Sequence, residues 1–577
     1  MKPWVVGTRP SKRYPLWTRA NVGEVFPDPV APLSFSLLME KDTEGAWRDA
    51  LVRMGAFTYD EFDPDNMETL GIFGSYCYLN AQVTRILGER APGLSAQAMD
   101  DLFYGAQPGV PPYEPAPGDH NEERTAALAK TFEWAMTVQQ LERPAIDAKR
   151  VAGLRAARPE LENLSNEALW AYGKGIALAN HRRLFSEHIF TTFISTVPVG
   201  AVTQICAAVG RPADALRVIQ GVGDVESAAP SLAMWKLGRM IAADRELTAA
   251  FDAGVEGVLD RIRGLGENGR RFLEAFDAFL YDYGCRGPNE WESRCHTWET
   301  KPELALAAID RMRLAPESAS PEARQKELAA ERERVTKEIA AMLAGDPQNQ
   351  GLFLAAANAA RVFQAGRERT KTNNIRMIHE VRMALHTIGR RMVAAGHLDD
   401  VGDYAFLLAE EFDDWLQHPA NYASTIRERK ALYEEYASRQ EPFVFWGEIP
   451  DPETWPKKAD VTIEPVKPGE VLQGFQGCAG KATGRARVVL DPLDPRGLEP
   501  GDILVAPITD PSWTPLFVPA AAVVVDVGAA QSHAMIVSRE LGIPCVPSVT
   551  NATKRIPDGA TITVDGDAGT VTVVALP

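Results

Sequence analysis

Residues 522–547 read AVVVDVGAAQSHAMIVSRELGIPCVP, and this stretch decides the fold of the C-terminal part of the chain. Its β-branched start, residues 523–527, predicts a short buried strand. A loop of small residues follows, and Ser532 then stands where an N-cap belongs, before a helical apolar pattern. Gly542 and a proline two residues later end that helix. The pattern therefore predicts a strand, a loop and a helix, with His533 at the N-terminus of the helix.

The predicted position of His533 suits one kind of chemistry. A helix N-terminus offers unpaired amide donors and the positive end of the helix dipole, so an anion beside the imidazole would be stabilised there. A neutral imidazole is a competent nucleophile near neutral pH. A histidine that accepts a phosphoryl group would need this setting. The alternative is a plain surface or capping histidine, and strand, loop and helix alone leave both interpretations open.

Four further segments carry a resemblance to a known family. They are GRARVV at 484–489, GDILV at 501–505, TDPSWTP at 509–515 and IVSRELGIP at 536–544. Together with His533 they resemble the phosphohistidine swivelling domain of the PEP-utilising enzyme superfamily, which includes dikinases, phosphoenolpyruvate synthase and rifampicin phosphotransferase. The sequence departs from the usual pattern at Ala529, Gln531 and Met535, where the family commonly has smaller residues. The resemblance implies that His533 carries the phosphoryl group.

Composition narrows the class of protein. A chain of 577 residues is long enough for more than one domain. Its formal net charge of -17 argues against nucleic acid or an anionic membrane surface as a partner. The six cysteines form no C-x-x-C pair, so neither a zinc ribbon nor a disulfide framework is indicated. Without a signal-peptide pattern or a run of about 18 apolar residues, the sequence predicts a cytoplasmic protein with no membrane partner.

The middle of the chain, from about 120 to 440, has helical periodicity with Ala, Leu, Glu and Arg dominant. The clearest segments are 122–141, 167–185, 229–243 and 322–344. Strands do not alternate with these helices and no repeat of fixed period occurs, which argues against a barrel or a solenoid. The sequence therefore predicts a large, irregular helical domain.

We predict a multidomain protein, in which a large mainly α-helical substrate (acceptor)-binding domain is followed by a C-terminal α/β phosphohistidine swivelling domain. The helical domain is predicted over residues 1–440 and the swivelling domain over residues 469–577. Between them, residues 441–468 contain six prolines and predict an extended, semi-stiff linker of the type a moving domain needs. Residues 562–573, with Asp-Gly and Gly in their centre, predict a closing β-hairpin.

The N-terminal region contains an ordered-looking segment, residues 17–33, with Arg19 and Asn21 among aromatic residues and prolines. Such chemistry suggests a strap laid across another surface, although a plain extension is the alternative. The segment resembles the opening of the substrate-binding domain of rifampicin phosphotransferases, and residues 72–80 continue the similarity loosely. The resemblance implies that Arg19 and Asn21 bind substrate.

Residues 279–290, FLYDYGCRGPNE, interrupt a helix with Gly and Pro while keeping Arg286 and Glu290 four residues apart. On composition alone this is a turn with a surface ion pair. It also resembles the YG-x-RG turn of the same substrate domains, which implies that Arg286 and Glu290 help to shape the substrate pocket.

A basic stretch contains Arg367 and Lys371, which would share one face of a helix. Such a stretch is usually a solvated charged face. Its R-E-x-x-K pattern, however, resembles a helix start in rifampicin phosphotransferases, and this implies a catalytic role for both residues against the incoming phosphohistidine, as cationic donors to the phosphoryl group. His379 and His386 follow seven residues apart, and packing or surface roles are favoured for them over metal binding.

Nucleotide-binding patterns fail on inspection. The G-x-G-x-x-G at 264–269 follows a helical stretch, and the Gly-rich residues 474–481 have one residue too many for a P-loop. No metal or cofactor site is therefore predicted on this chain. In the resembled family an ATP-grasp domain phosphorylates the histidine, so we expect a separate ATP-grasp subunit that binds ATP and Mg²⁺.

The predicted function is that of one subunit of a two-component, ATP-dependent phosphotransferase of the dikinase type, with paired acceptors. It would resemble the histidine-bearing subunit of phenylphosphate and methylphenyl-phosphate synthases. His533 would pass its phosphoryl group to a hydroxyl acceptor, a small phenol or aromatic alcohol. Two alternatives stay open: a non-enzymatic phosphocarrier or regulatory module, and an enzyme like phosphoenolpyruvate synthase or pyruvate phosphate dikinase.

Overall fold

The computed structural model describes residues 8–104, 109–223, 225–226, 228–492, 498–528 and 532–577. The chain divides into two compact units, each assembled from three segments. The first unit comprises Met1–Val197, Trp291–Cys295 and Arg369–Thr462, and the second comprises Pro198–Glu290, His296–Glu368 and Ile463–Pro577.

Helices dominate both units. In chain order the described helices are α1 Val22–Val25, α2 Pro32–Ser34, α3 Glu44–Arg53, α4 Ala81–Arg90, α5 Ala96–Phe103, α6 Glu122–Thr137, α7 Glu142–Ala156, α8 Asn166–Ala208, α9 Asp214–Val218, α10 Ala229–Ala242, α11 Arg245–Asp252, α12 Val258–Arg263, α13 Gly266–Tyr283, α14 Glu303–Leu314, α15 Pro321–Met342, α16 Pro347–Ala394, α17 Phe412–Gln417, α18 Ala423–Ala437, α19 Thr514–Phe517, α20 His533–Leu541 and α21 Ala552–Arg555. The four segments with helical periodicity overlap α6, α8, α10 and α15, although α8 extends well beyond its segment, and the mainly helical prediction is confirmed.

The helix ends follow from local sequence. Ser320 is the N-cap of α15, because its hydroxyl accepts the Ala323 N–H at 3.4 Å, and Pro321 occupies the first helical position. A π-helical stretch, Phe35–Thr43, connects α2 to α3. Among the described residues, α8 alone is long and apolar enough to cross a membrane; 44% of its most apolar window is buried, and a core helix meets the same criterion.

The strands form two sheets. In chain order they are β1 Leu16–Thr18, β2 Leu70–Phe73, β3 Tyr76–Asn80, β4 Val444–Trp446, β5 Val471–Gln473, β6 Lys481–Val488, β7 Ile503–Ala506, β8 Ala522–Val525, β9 Cys545–Val546, β10 Thr561–Asp565 and β11 Thr570–Ala575. The first unit holds a four-stranded antiparallel sheet in the order β2-β3-β1-β4, and the second holds a seven-stranded sheet in the order β5-β11-β10-β6-β7-β8-β9.

The sheet of the first unit corrects two expectations. The strap predicted for residues 17–33 is wrong at its start. Trp17 is fully buried in β1, an inner strand that pairs with β3 and β4. The predicted linker is also partly wrong. Its residues 444–446 form β4, with Phe445 opposite Trp17, and Trp455 is buried with its Nε1 donating to Pro450 O at 2.9 Å. Strand pairing and aromatic burial make residues 444–455 part of the first unit.

The sheet of the second unit combines two patterns. Strands β6 to β9 are parallel, whereas β10 pairs antiparallel with both β6 and β11, which confirms the predicted hairpin and the α/β character of this region. Successive residues of β8 point to opposite faces: Val524 packs into one hydrophobic core and Val523 into another. Parallel strands covered on both faces require the continuous apolar run that the sequence shows.

One of these cores unites sheet and helices within the second unit. Val523, Phe517 and Val537 pack in the same cluster as Ile309 and Met312 of α14. Residues 463–577 thus share a core with the helices of residues 198–368. The predicted domain boundaries at 440 and 469 stay predictions.

Candidate active site around His533

The segment that carries His533 folds as its sequence predicts. β8 ends at Val525, and the Ser532 hydroxyl accepts the Met535 N–H at 3.4 Å as the N-cap of α20. Gly542 ends the helix with φ +63°, a left-handed conformation that favours glycine. Residues 529–531 of the connecting loop, which include two departures from the family pattern, lie outside the described residues.

His533 is held from two sides by hydroxyl groups. Its side chain is buried; Nδ1 lies 3.1 Å from Thr509 Oγ1, and Nε2 lies 3.3 Å from Thr514 Oγ1. The ring of Phe517 meets the imidazole edge-on, with 5.9 Å between ring centroids. A hydroxyl can donate or accept, so this pair accommodates either neutral tautomer. The imidazole is therefore fixed in orientation while its proton distribution can change.

The loop that supplies both hydroxyls is anchored by Asp510. Its carboxylate accepts the Ser512 N–H at 2.8 Å and the Ser512 hydroxyl, which closes a tight Asx-type turn. The same carboxylate accepts the Asn289 N–H at 3.0 Å. Burial raises the pKa of Asp510, and these hydrogen bonds oppose the rise. The loop is thus tied to the turn that contains Asn289.

That turn is the one predicted from its Gly-Pro sequence. Arg286 Nη1 lies 3.0 Å from Glu290 Oε1, and both side chains are almost completely buried. Burial lowers the pKa of Arg286, but the charges of Glu290, Cys285 and Glu226, together with the hydrogen bond to Glu290, outweigh burial and leave the pKa above its usual value. The expected surface ion pair is therefore wrong, since the packing of the second unit encloses it. A substrate-binding role for these two residues stays a prediction.

The guanidinium of Arg19, in the first unit, is bound by several other groups of the protein. It donates to the carbonyls of Cys77 at 2.6 Å and Phe26 at 2.7 Å, and it lies 3.3 Å from a carboxylate oxygen of Glu441. Asn21 precedes α1 with φ +66°. Arg19 thus joins three segments of the first unit, and the predicted substrate contacts of Arg19 and Asn21 stay predictions.

Arg367 and Lys371 lie on α16, four residues apart, as expected from their spacing. They do not lie at a helix start, because α16 runs from Pro347 to Ala394 and places them in its interior. Arg367 Nη1 donates to Glu368 Oε1 at 2.9 Å. Burial lowers the pKa of Arg539 on α20, and the charge of Arg367 lowers it further. The catalytic roles of Arg367 and Lys371 stay predictions.

The two downstream histidines are packed into the first unit. His379 and His386 are both buried, and His386 Nε2 lies 3.2 Å from the carbonyl of Arg294. This agrees with the packing role favoured from the sequence. Among the residues that the structure describes, no group of three or more His, Cys, Asp or Glu side chains forms a candidate metal site.

Sequence reasoning missed the residues that hold the imidazole. Thr509 and Thr514 were included in the family-like segment 509–515, but no role was predicted for either residue. Their signal was present: two hydroxyls five residues apart flank an Asp-Pro-Ser turn in a loop after the buried strand β7. What the sequence lacked was the approach of that loop to His533, which packing between β7 and β8 sets.

Comparison with known proteins agrees with this geometry. Residues 498–569 match the family model described as the mobile domain of PEP-utilising enzymes, which agrees with the α/β fold of this segment. Residues 188–368 match the model described as the fourth domain of rifampicin phosphotransferase. Both matches lie mainly in the second unit.

Individual relatives point in the same direction. A rifampicin phosphotransferase of Streptomyces sviceus is 30% identical over 334 residues, which cover 56% of this chain and 37% of that protein. The prodigiosin synthesizing transferase PigC of Serratia marcescens is 30% identical over 306 residues, 52% of this chain and 33% of the relative. An uncharacterized protein of Mycobacterium tuberculosis is 27% identical over 98% of this chain and 62% of its own length. The chain thus spans about a third to three fifths of the length of these relatives.

Proposed function

We propose that this chain takes part in phosphotransfer, accepting a phosphoryl group on His533 and passing it to a hydroxyl acceptor. The observation that carries the proposal is the buried imidazole at the N-terminus of α20, held between Thr509 and Thr514. The match of this segment to a PEP-utilising mobile domain, and the relatives named phosphotransferases, support the same reaction type.

The chemistry follows from the imidazole and its partners. One ring nitrogen donates its hydrogen to a threonine hydroxyl, which leaves a lone pair on the other nitrogen. That lone pair attacks phosphorus, a P–N bond forms, and the P–O bond to the donor breaks with its electron pair. The amide groups and dipole at the start of α20 stabilise the anionic phosphoryl oxygens. In the second step the acceptor oxygen attacks phosphorus, the P–N bond breaks, and the hydroxyl proton leaves to a base.

The proposal includes the predicted partner, a separate ATP-grasp subunit with bound ATP and Mg²⁺. Phosphorylation of His533 needs a phosphoryl donor, and ATP bound by such a partner would supply it. Mg²⁺ bound with ATP would neutralise charge on the transferring phosphates. AMP and inorganic phosphate would be the net products of ATP, in a reaction of the dikinase type.

The proposed acceptor is a small phenol or aromatic alcohol. The resemblance of the helical part to rifampicin phosphotransferase supports an organic hydroxyl as the acceptor. Arg367 and Lys371 are proposed to stabilise the phosphoryl oxygens while the group leaves His533. A planar guanidinium and an ammonium are the side chains suited to that task.

Labelling tests the first step. ATP labelled at the β- or γ-phosphate, incubated with this chain and its ATP-grasp partner, should place label on the chain as an acid-labile, base-stable adduct. His533→Ala should abolish the adduct, whereas His418→Ala, which removes an exposed histidine, should retain it. Label that persists in His533→Ala would overturn the proposed function.

A further inference from the structure

A buried carboxylate lies at the end of α20 opposite to His533. Glu540 is 3% exposed, its Oε1 accepts the Val222 N–H at 3.0 Å, and its Oε2 accepts the Gly223 N–H at 3.1 Å. Both amides belong to the short loop between α9 and α10. Hydrogen bonds from two backbone N–H groups to one carboxylate are strong and directional.

The loop itself is clamped in place; we call residues 220–223 the glycine clasp. Arg332 Nη1 of α15 donates to the carbonyls of Gln220, at 3.2 Å, and Gly221. A Cβ on Gly221, whose φ is +56°, would come within 2.6 Å of Leu328 Cβ and 2.9 Å of a backbone nitrogen. A side chain does not fit there, so α15 fixes the position of the clasp and the clasp can fix α20.

Burial disfavours the charged form of the Glu540 carboxylate, and the two amide hydrogen bonds of the clasp favour that form. Burial raises the pKa of Glu540, while the Val222 and Gly223 amides, with Gln325 and Arg332, lower it. Removing the carboxylate would leave two amides of the clasp without their acceptor in a packed region. The contact is therefore specific to one placement of α20 on the helices of the second unit.

We propose that Glu540 is a positioning residue, which holds His533 in place for phosphoryl transfer to the acceptor; this inference rests on the proposed function. Glu540 follows His533 by seven residues, about 10 Å along a helix, so it acts through the position of α20 and not on the phosphoryl group. The clasp and α15 both lie in residues 188–368, the segment that matches the rifampicin phosphotransferase fourth domain. A misplacement of about 1 Å can slow a transfer by about 10²-fold.

Amide hydrogen exchange on the chain alone tests the contact, without nucleotide or acceptor. Glu540→Ala should raise the exchange rates of the Val222 and Gly223 amides. Glu540→Gln, whose single side-chain carbonyl oxygen can accept one amide, should protect one of the two. Glu327→Ala is the matched control, because it removes an exposed carboxylate from α15 and should leave both rates unchanged. Unchanged exchange in Glu540→Ala would overturn the inference.

Single-turnover kinetics tests the consequence. With the ATP-grasp partner, Glu540→Ala should acquire phosphohistidine at the wild-type rate but transfer it to acceptor about 10²-fold more slowly, with partial rescue in Glu540→Gln. Equal losses in both steps would indicate a general structural defect and overturn the positioning role. Wild-type chain that forms no phosphohistidine would contradict the proposed function, while the exchange rates would still report the contact itself.

Discussion

Arg19 in the first unit and His533 in the second are both buried polar side chains, but their partners differ in kind. Arg19 donates to backbone carbonyls and to Glu441, groups that only accept. His533 lies between two hydroxyls, each of which can donate or accept. Partners that only accept hydrogen bonds hold a side chain in one charge state. Partners that can both donate and accept let the side chain transfer a proton or form a new bond at little energetic cost. Burial alone therefore does not distinguish a structural group from one that we propose to react.

The largest expected effect concerns stability at Arg19. Arg19→Ala should lower the free energy of unfolding by about 3–5 kcal/mol, because it leaves the largely enclosed Glu441 carboxylate and several buried carbonyls without their cation. Denaturant titration followed by tryptophan fluorescence would measure this. Arg9→Ala removes an exposed ion pair and should change the value by less than about 1 kcal/mol. A loss in Arg19→Ala as small as in this control would break the comparison.

The next effect concerns the partly buried cations of α16. Arg367→Ala and Lys371→Ala should spare phosphorylation of His533 and slow transfer to the acceptor by about 10²–10³-fold, the usual cost of removing one preorganised electrostatic donor. Rapid quench with a panel of phenols should show phosphohistidine accumulating. Arg361→Ala, on an exposed position of the same helix, is the control. Equal decay of phosphohistidine in all four proteins would leave Arg367 and Lys371 without a chemical role.

The smallest expected effect concerns the hydroxyl groups beside His533, which can both donate and accept hydrogen bonds. Thr509→Val keeps the shape of the side chain and removes one hydroxyl from the imidazole, a loss of about 1 kcal/mol for a neutral hydrogen bond, or about five-fold in the rate of His533 phosphorylation. Thr509→Ser keeps the hydroxyl and should restore most of the rate. A Thr509→Val protein with an unchanged rate would show that the imidazole needs no hydroxyl on Nδ1.

The regions that could be predicted from sequence are those with local signals. The strand, the N-cap and the C-cap around His533 are each predicted by a few neighbouring residues. The helices α6, α8, α10 and α15 are predicted by the periodicity of their apolar residues. The pairing of Trp17 with Phe445 could not be predicted, because β1 and β4 are three-residue strands far apart in the chain. Three residues carry too little pattern to specify a distant partner.

The same limit applies to the candidate site. His533 was found because a helix start and a family resemblance coincide on it. The burial of Arg286 and Glu290 was missed, since an ion pair four residues apart looks the same in sequence on a surface and in a core. Thr509 and Thr514 gained their role only from tertiary packing, which brings one loop against α20.

The pairing of β1 with β4 also has a consequence for biosynthesis. At about 5–20 residues per second, a ribosome needs about 20–90 s to pass from the codons of β1 to those of β4. Throughout that interval β1 has an open edge that the finished protein covers with β4. Open strand edges recruit other chains. The nascent protein is therefore expected to depend on chaperones until β4 emerges.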